Sequence, residues 1–149
     1  MDVRIFPDAV FMQMLEGGKD VLTDANYPAS GNYKDVSGYD YFGFLVGLDT
    51  IVTPDFAVKQ DTSPTETAAI KAVTGASKTD VATGDDGKWF FISVETRKLD
   101  IANAFRYVTL TVSGTGGADN ANVWFFAWKA GAEPVTQHAN FLASVKVAG

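Results

Sequence analysis

The stretch KWFFISVETRKLDIANAFRYVTLTVS, Lys88 to Ser113, decides the fold. Its first part, Trp89 to Thr96, sets Phe90, Ile92 and Val94 against Trp89, Phe91, Ser93 and Glu95. Its last part, Arg106 to Ser113, alternates Val108, Leu110 and Val112 with Tyr107, Thr109 and Thr111. Successive side chains of a strand point to opposite faces, so a period of two with one apolar set marks a half-buried strand. The stretch therefore predicts two strands pinned together as a pair, linked through Leu99 to Phe105 by at most one helical turn. No residue in it forms a recognisable catalytic constellation.

Outward from there, the composition agrees with strands. The 149 residues are 46% hydrophobic and include eleven Phe, with Val and Thr plentiful, residue types that fit a pleated surface. That length predicts a single β-sandwich domain over residues 1–149, long enough to bury a core. A net charge of −6 with scattered Lys and Arg argues against nucleic acid and against an anionic membrane surface. Without cysteine there is no disulfide, thiolate nucleophile or cysteine metal cluster. The amino terminus, MDVRIFPDAVFMQMLEGG, has neither the charge layout of a signal peptide nor the length of a membrane span, so a soluble protein is expected.

Val3 to Phe6 and Ala9 to Leu15 read as two short strands. The second is apolar on both faces, which fits either a central, covered strand or an arm completed by another subunit. Residues 1–16 are thus a candidate interface segment. Thr23 to Gly38 is a polar loop. In Tyr39 to Leu48, Phe42, Phe44, Val46 and Leu48 share one face, and Tyr41, Gly43, Leu45 and Gly47 the other. Glycine at alternate positions thins that second face, as where a bulky ring approaches. Phe56 to Gln60 is a further strand. Ser63-Pro64-Thr65-Glu66 has a capping pattern that would start a short helix over Thr67 to Val73, though Ile70, Ala72 and Thr74 also alternate as a strand does. Thr83 to Gly87 predicts a tight hairpin turn. Ala121 to Lys129 is a strand apolar on both faces, and the tail after Pro134, with Phe141, Leu142, Val145 and Val147, a short closing one. Eight or nine short strands with turns between them give an all-β class, an antiparallel sandwich with room for one short helix.

Catalytic chemistry finds little support. His138 is the only histidine and has no nucleophile motif beside it. Gly114 to Asp119, GTGGAD, misses the dinucleotide fingerprint because Asp119 holds the third glycine position; a hairpin loop is the reading. Asp80 to Asp86 lacks the ligand spacing of a calcium loop. No catalytic, cofactor or metal residue is assigned, and an enzyme is not expected. The excess is aromatic. Burying each ring is worth about 1.5–3 kcal/mol, so rings on both faces of a strand demand a second sheet or a subunit interface. Phe6, Phe11, Met12, Met14, Trp89, Phe91, Trp124 and Trp128 are the candidate interface residues. A sugar-binding sandwich, stacking Tyr27, Tyr33, Tyr39 and the Trp residues on sugar rings, is the alternative.

Val58 to Ser63 (VKQDTS), Val73 to Ala76 (VTGA) and Leu99 with Arg106 to Val112 (L…RYVTLTV) resemble a group of small tailed-bacteriophage capsid cement or decoration proteins. The insertion Asp100 to Phe105 departs from the shorter approach to Arg-Tyr in that group. The resemblance implies a jelly-roll-like sandwich on the capsid exterior, made in the host cytoplasm. It further implies binding to the major capsid protein, with self-association as a dimer or trimer expected alongside. A tail or head-fibre component of the virion is the nearby alternative. The motifs are structural, so no catalytic or cofactor residue follows from them.

Overall fold

The computed structural model describes residues 11–16, 22–129 and 141–147. Ten strands run through them: β1 (Phe11–Glu16), β2 (Ala25–Tyr27), β3 (Lys34–Asp35), β4 (Tyr41–Leu48), β5 (Asp55–Asp61), β6 (Lys71–Lys78), β7 (Trp89–Glu95), β8 (Tyr107–Ser113), β9 (Ala121–Trp128) and β10 (Phe141–Val147). Two 3-10 turns, Thr96–Lys98 and Ile101–Asn103, join β7 to β8. The expected strand Val3 to Phe6, and Phe6 and His138, lie outside the described residues.

The strands form two sheets, ordered β1-β9-β4-β7-β10 and β2-β8-β5-β6, with β3 also on β8. Apart from β3 and β10, the chain winds as a jelly roll. It places β1, β4, β7 and β9 in one sheet and β2, β5, β6 and β8 in the other, each pairing antiparallel. β10 is appended parallel to β7. The all-β sandwich expected from strand patterning is the observed architecture.

The core lies between the sheets. Phe42, Phe44 and Val46 of β4, Phe90, Ile92 and Val94 of β7, and Val123 and Phe125 of β9 face Phe56 and Val58 of β5 and Val108, Leu110 and Val112 of β8. Phe56 and Phe90 meet edge to face across the gap, ring centroids 5.1 Å apart. The rows Phe42, Phe44, Val46 and Leu48 of β4, Phe90, Ile92 and Val94 of β7, and Val108, Leu110 and Val112 of β8 read from the sequence are buried.

Several pairings differ from the expectation. β7 and β8 are not a hydrogen-bonded pair: β7 pairs with β4 and β10, β8 with β2, β3 and β5. Their apolar faces meet across the core instead. Alternation reports which face is buried but not which backbone lies alongside, and either arrangement buries the same rows. For the same reason the turn at Thr83 to Gly87 and the GTGGAD loop are crossings between sheets, not hairpins, although Gly84 and Gly87 do adopt positive φ (106° and 75°). Among the described residues β1 stands at an end of its sheet, so of the two readings open for it the central strand is not the one observed.

The helix over Thr67 to Val73 is absent, since Lys71–Lys78 is a strand. Gly75, at φ 79°, sits in a bulge where the β5–β6 register slips, which breaks the alternation there. The polar loop Thr23 to Gly38 contains β2 and β3, both too short to show a period.

Candidate functional site

The outer face of the β1-β9-β4-β7-β10 sheet is built from register. Tyr41 lies between Trp128 and Glu95, Gly43 between Phe126 and Ser93, Leu45 between Trp124 and Phe91, and Gly47 between Asn122 and Trp89. The same ladder sets Met12 opposite Phe126 and Met14 opposite Trp124, while Phe11 takes the register position opposite Ala127. Of the expected interface residues, Trp89, Phe91, Trp124 and Trp128 thus share one face, and Met12 and Met14 take the adjoining register positions.

Rings on this face pack against each other. Trp128 stacks on Tyr41 (5.6 Å, 13°) and on Phe91 (5.9 Å, 29°), and Phe91 meets Phe126 edge-on at 5.9 Å. Gly43 makes that possible: a Cβ there would lie 2.6 Å from Phe91 Cζ and from the Ile92 carbonyl. The ring approach expected beside the alternating glycines is present at Gly43, where Phe91 covers the backbone. Trp128 is 4% exposed and Phe126 8%. Trp128 therefore serves the fold rather than offering a contact, and its buried indole N–H has no partner among the described residues. Trp89, Phe91 and Trp124, with Tyr41 and Leu45, are half-buried and form the open part of the patch. Polar groups edge it, among them the Glu95–Arg97 ion pair, whose carboxylate raises the Arg97 guanidinium above its usual range.

Sequence reasoning passed over Tyr41, Gly43, Leu45 and Phe126 as members of this face. The signal was there in β4, where Tyr41, Gly43, Leu45 and Gly47 alternate with the core row.

The β2-β8-β5-β6 sheet, with β3 as its fifth strand, covers the β8 part of its outer face with its own loops. Gly31 and Tyr33 N–H groups donate to the Pro64 carbonyl (2.9 and 3.1 Å), and Glu66 N–H donates to Ser30 Oγ (2.9 Å). Beneath them Thr109 Oγ1 donates to the Pro28 carbonyl (2.8 Å) and Thr111 Oγ1 to Asn26 Oδ1 (2.6 Å). Glu66 accepts from Tyr33 OH (2.8 Å) and Asn26 Nδ2 (2.6 Å). Burial, then the Glu66 carboxylate, pushes the Tyr33 phenol well above its usual value, so it stays a donor. Tyr27 and Tyr33 are buried, and Tyr39 packs against the core. Tyr27 and Tyr33 therefore present no open ring for a sugar, and Tyr39 is half-buried.

The three segments carrying the phage resemblance lie in adjacent strands of this sheet, β8-β5-β6. Asp61 of the VKQDTS segment is fully buried and organises the following turn, accepting from Thr62 N–H (2.6 Å), Thr67 N–H (2.8 Å) and Thr67 Oγ1 (2.6 Å). Burial alone would raise its carboxyl, but the donations from Thr67, Thr62 and Ser63 outweigh that and hold it below the usual range. Other acids flagged by the sequence also serve loops. Asp86 accepts from Ile51 N–H (2.9 Å), Asp85 from Ala82 N–H (3.0 Å), and Asp119 from Gly116 N–H (2.6 Å) and Val52 N–H. Among the described residues no group of three or more His, Cys, Asp or Glu is placed to hold a metal ion. Among them, too, no helix is long and apolar enough to cross a membrane.

The chain matches no protein-family model, and no curated protein matches its sequence.

Proposed function

We propose that this protein is a bacteriophage capsid cement or decoration protein, which binds the major capsid protein and copies of itself on the outside of the head. The observation that carries the reading is the aromatic face around Trp89, Phe91 and Trp124, half-open, braced from beneath by Trp128 and rimmed by polar groups. Aromatic anchors inside a polar rim have the make-up of a protein contact. The likeness of β5, β6 and β8 to that phage group supports the same reading, and the jelly roll is a fold found in viral capsid domains. A fold hosts many functions, so the argument rests on the face.

The mechanism is mass action. A subunit that binds the assembled lattice and not its separated parts shifts the equilibrium toward assembly. A clamp of this kind needs a rigid frame and a contact surface, and no reacting group. The test is to mix purified protein with capsids lacking it. Co-sedimentation with the particles and greater resistance to heat are expected; no recovery on the particles rejects the reading. Trp89 and Trp124 leave sugar binding as the competing reading, and a glycan array with reproducible hits would favour it.

A further inference from the structure

The two flanks of the sandwich end differently. On one, β10 runs close beside β6 and closes the sheets against each other. β6 is also guarded as an edge: the Gly75 bulge breaks it, and Lys71 and Lys78 stand at its ends, paired with Asp100 and Asp80. Charges and bulges of this kind keep a sheet edge from pairing with another chain.

On the other flank stands β1, FMQMLE, held along one side by β9. Among the described residues no strand pairs with its other side, so a row of backbone donors and acceptors faces outward there. From Phe11 to Leu15 the strand has no charge and no proline, and its one register slip comes after Met14.

Gln13 marks where the sandwich stops. It lies opposite Phe125, which is buried in the core, and opposite residues of an antiparallel pair share a face. Gln13 is nevertheless exposed, so at this point β1 reaches past the cover of the second sheet. On the other face, Met12 and Met14 hold the register positions beside Phe126 and Trp124, which carries the aromatic row out to the edge.

We propose that β1 pairs with β1 of a second copy, antiparallel about a two-fold axis at Gln13. An edge strand meeting its own copy this way offers the same backbone row from both sides, so the contact is isologous and closes at a dimer. Parity limits the register. Opposite residues must share a face, which permits Gln13 on Gln13 with Met12 on Met14, and forbids Gln13 on either methionine. Of the permitted registers, this one sets the polar side chain of the Phe11–Leu15 run against itself. A glutamine amide both donates and accepts, so two of them can bond across the axis, a match that a different strand would not bring. The pairing also joins the outer rows of the two copies, Phe126 and Met12 of one running on into Met14 and Trp124 of the other. It rests on the self-association within the proposed function and supplies its contact, yet it forms in free solution without a capsid.

Sedimentation velocity of the full chain tests it. The average mass should rise with concentration toward twice that of one chain and no further. Gln13→Lys and Gln13→Glu should each fold like the wild type, because Gln13 is exposed. Each should raise the concentration needed for dimers about tenfold or more, since like charges then meet at the axis. An equal mixture of the two should restore dimers, with Lys opposite Glu. A wild-type chain still monomeric at about 1 mM overturns the proposal. So does either variant dimerising as readily as the wild type, or a mixture no better than its parts. A monomeric wild type that still co-sediments with capsids rejects this contact alone, and a dimer that fails to co-sediment rejects the capsid reading alone.

Discussion

The outer face of the β1-β9-β4-β7-β10 sheet carries Trp89, Phe91 and Trp124 half-open, whereas the other sheet holds Asn26, Thr109 and Thr111, on the β2–β8 part of its outer face, beneath two laced loops. Both sheets give their inner rows to one core, so the contrast is confined to the outside. On the polar side each donor named above finds an acceptor within the chain, and nothing is gained by adding a partner. On the aromatic side the rings brace each other but keep area in water, whose removal remains available as a driving force. Where a small sandwich satisfies one exterior by itself and leaves the other partly apolar, the second is where binding energy lies.

The largest effect should come where the two sheets are equivalent. Ile92→Asp and Val108→Asp each bury an unpaired charge from opposite sides of the same core. Each should cost more than about 4 kcal/mol, read as loss of the folded circular-dichroism signal. A folded Val108→Asp chain would mean that β8 does not face that core.

Gly43→Val separates the two exteriors. Its new side chain must displace Phe91 and press on the Ile92 carbonyl, and about 2–4 kcal/mol should be lost in urea unfolding. On the other exterior, Asp61→Ala strips three donors of their acceptor and should cost about 2–3 kcal/mol. Because the Asp61 carboxyl lies below its ordinary value of 3.8 in the fold, its contribution is complete above that value and lost as pH falls through the lower one. Wild-type stability should therefore drop in acid below about pH 4, and the drop should shrink in Asp61→Ala.

Trp89→Ala should leave a folded chain, with about 1–2 kcal/mol lost, while weakening capsid binding about tenfold or more. If it unfolds the chain instead, that face belongs to the fold alone. The smallest change should be Thr111→Val, below about 1.5 kcal/mol and without effect on capsid binding, since its bond to Asn26 lies within the polar exterior.

From the sequence alone, the alternating rows of β4, β7 and β8 determined the all-β class and the buried side of each of those strands. That information is local, carried by side chains two residues apart. The glycines of β4 also marked the face where a ring would lie on the backbone, as Phe91 does over Gly43. The sequence could not say that β7 and β8 part into different sheets, nor that β1 takes an end position. Strands pair through backbone groups common to every residue, so the choice of partner is made by how crossings such as Thr96 to Arg106 carry the chain between layers. Which aromatics stay half-open was likewise a tertiary outcome. Trp128 and Trp89 both stood among the interface residues expected from sequence, and only the stacking of Tyr41 and Phe91 on Trp128 separates the ring that braces the face from the one that can bind.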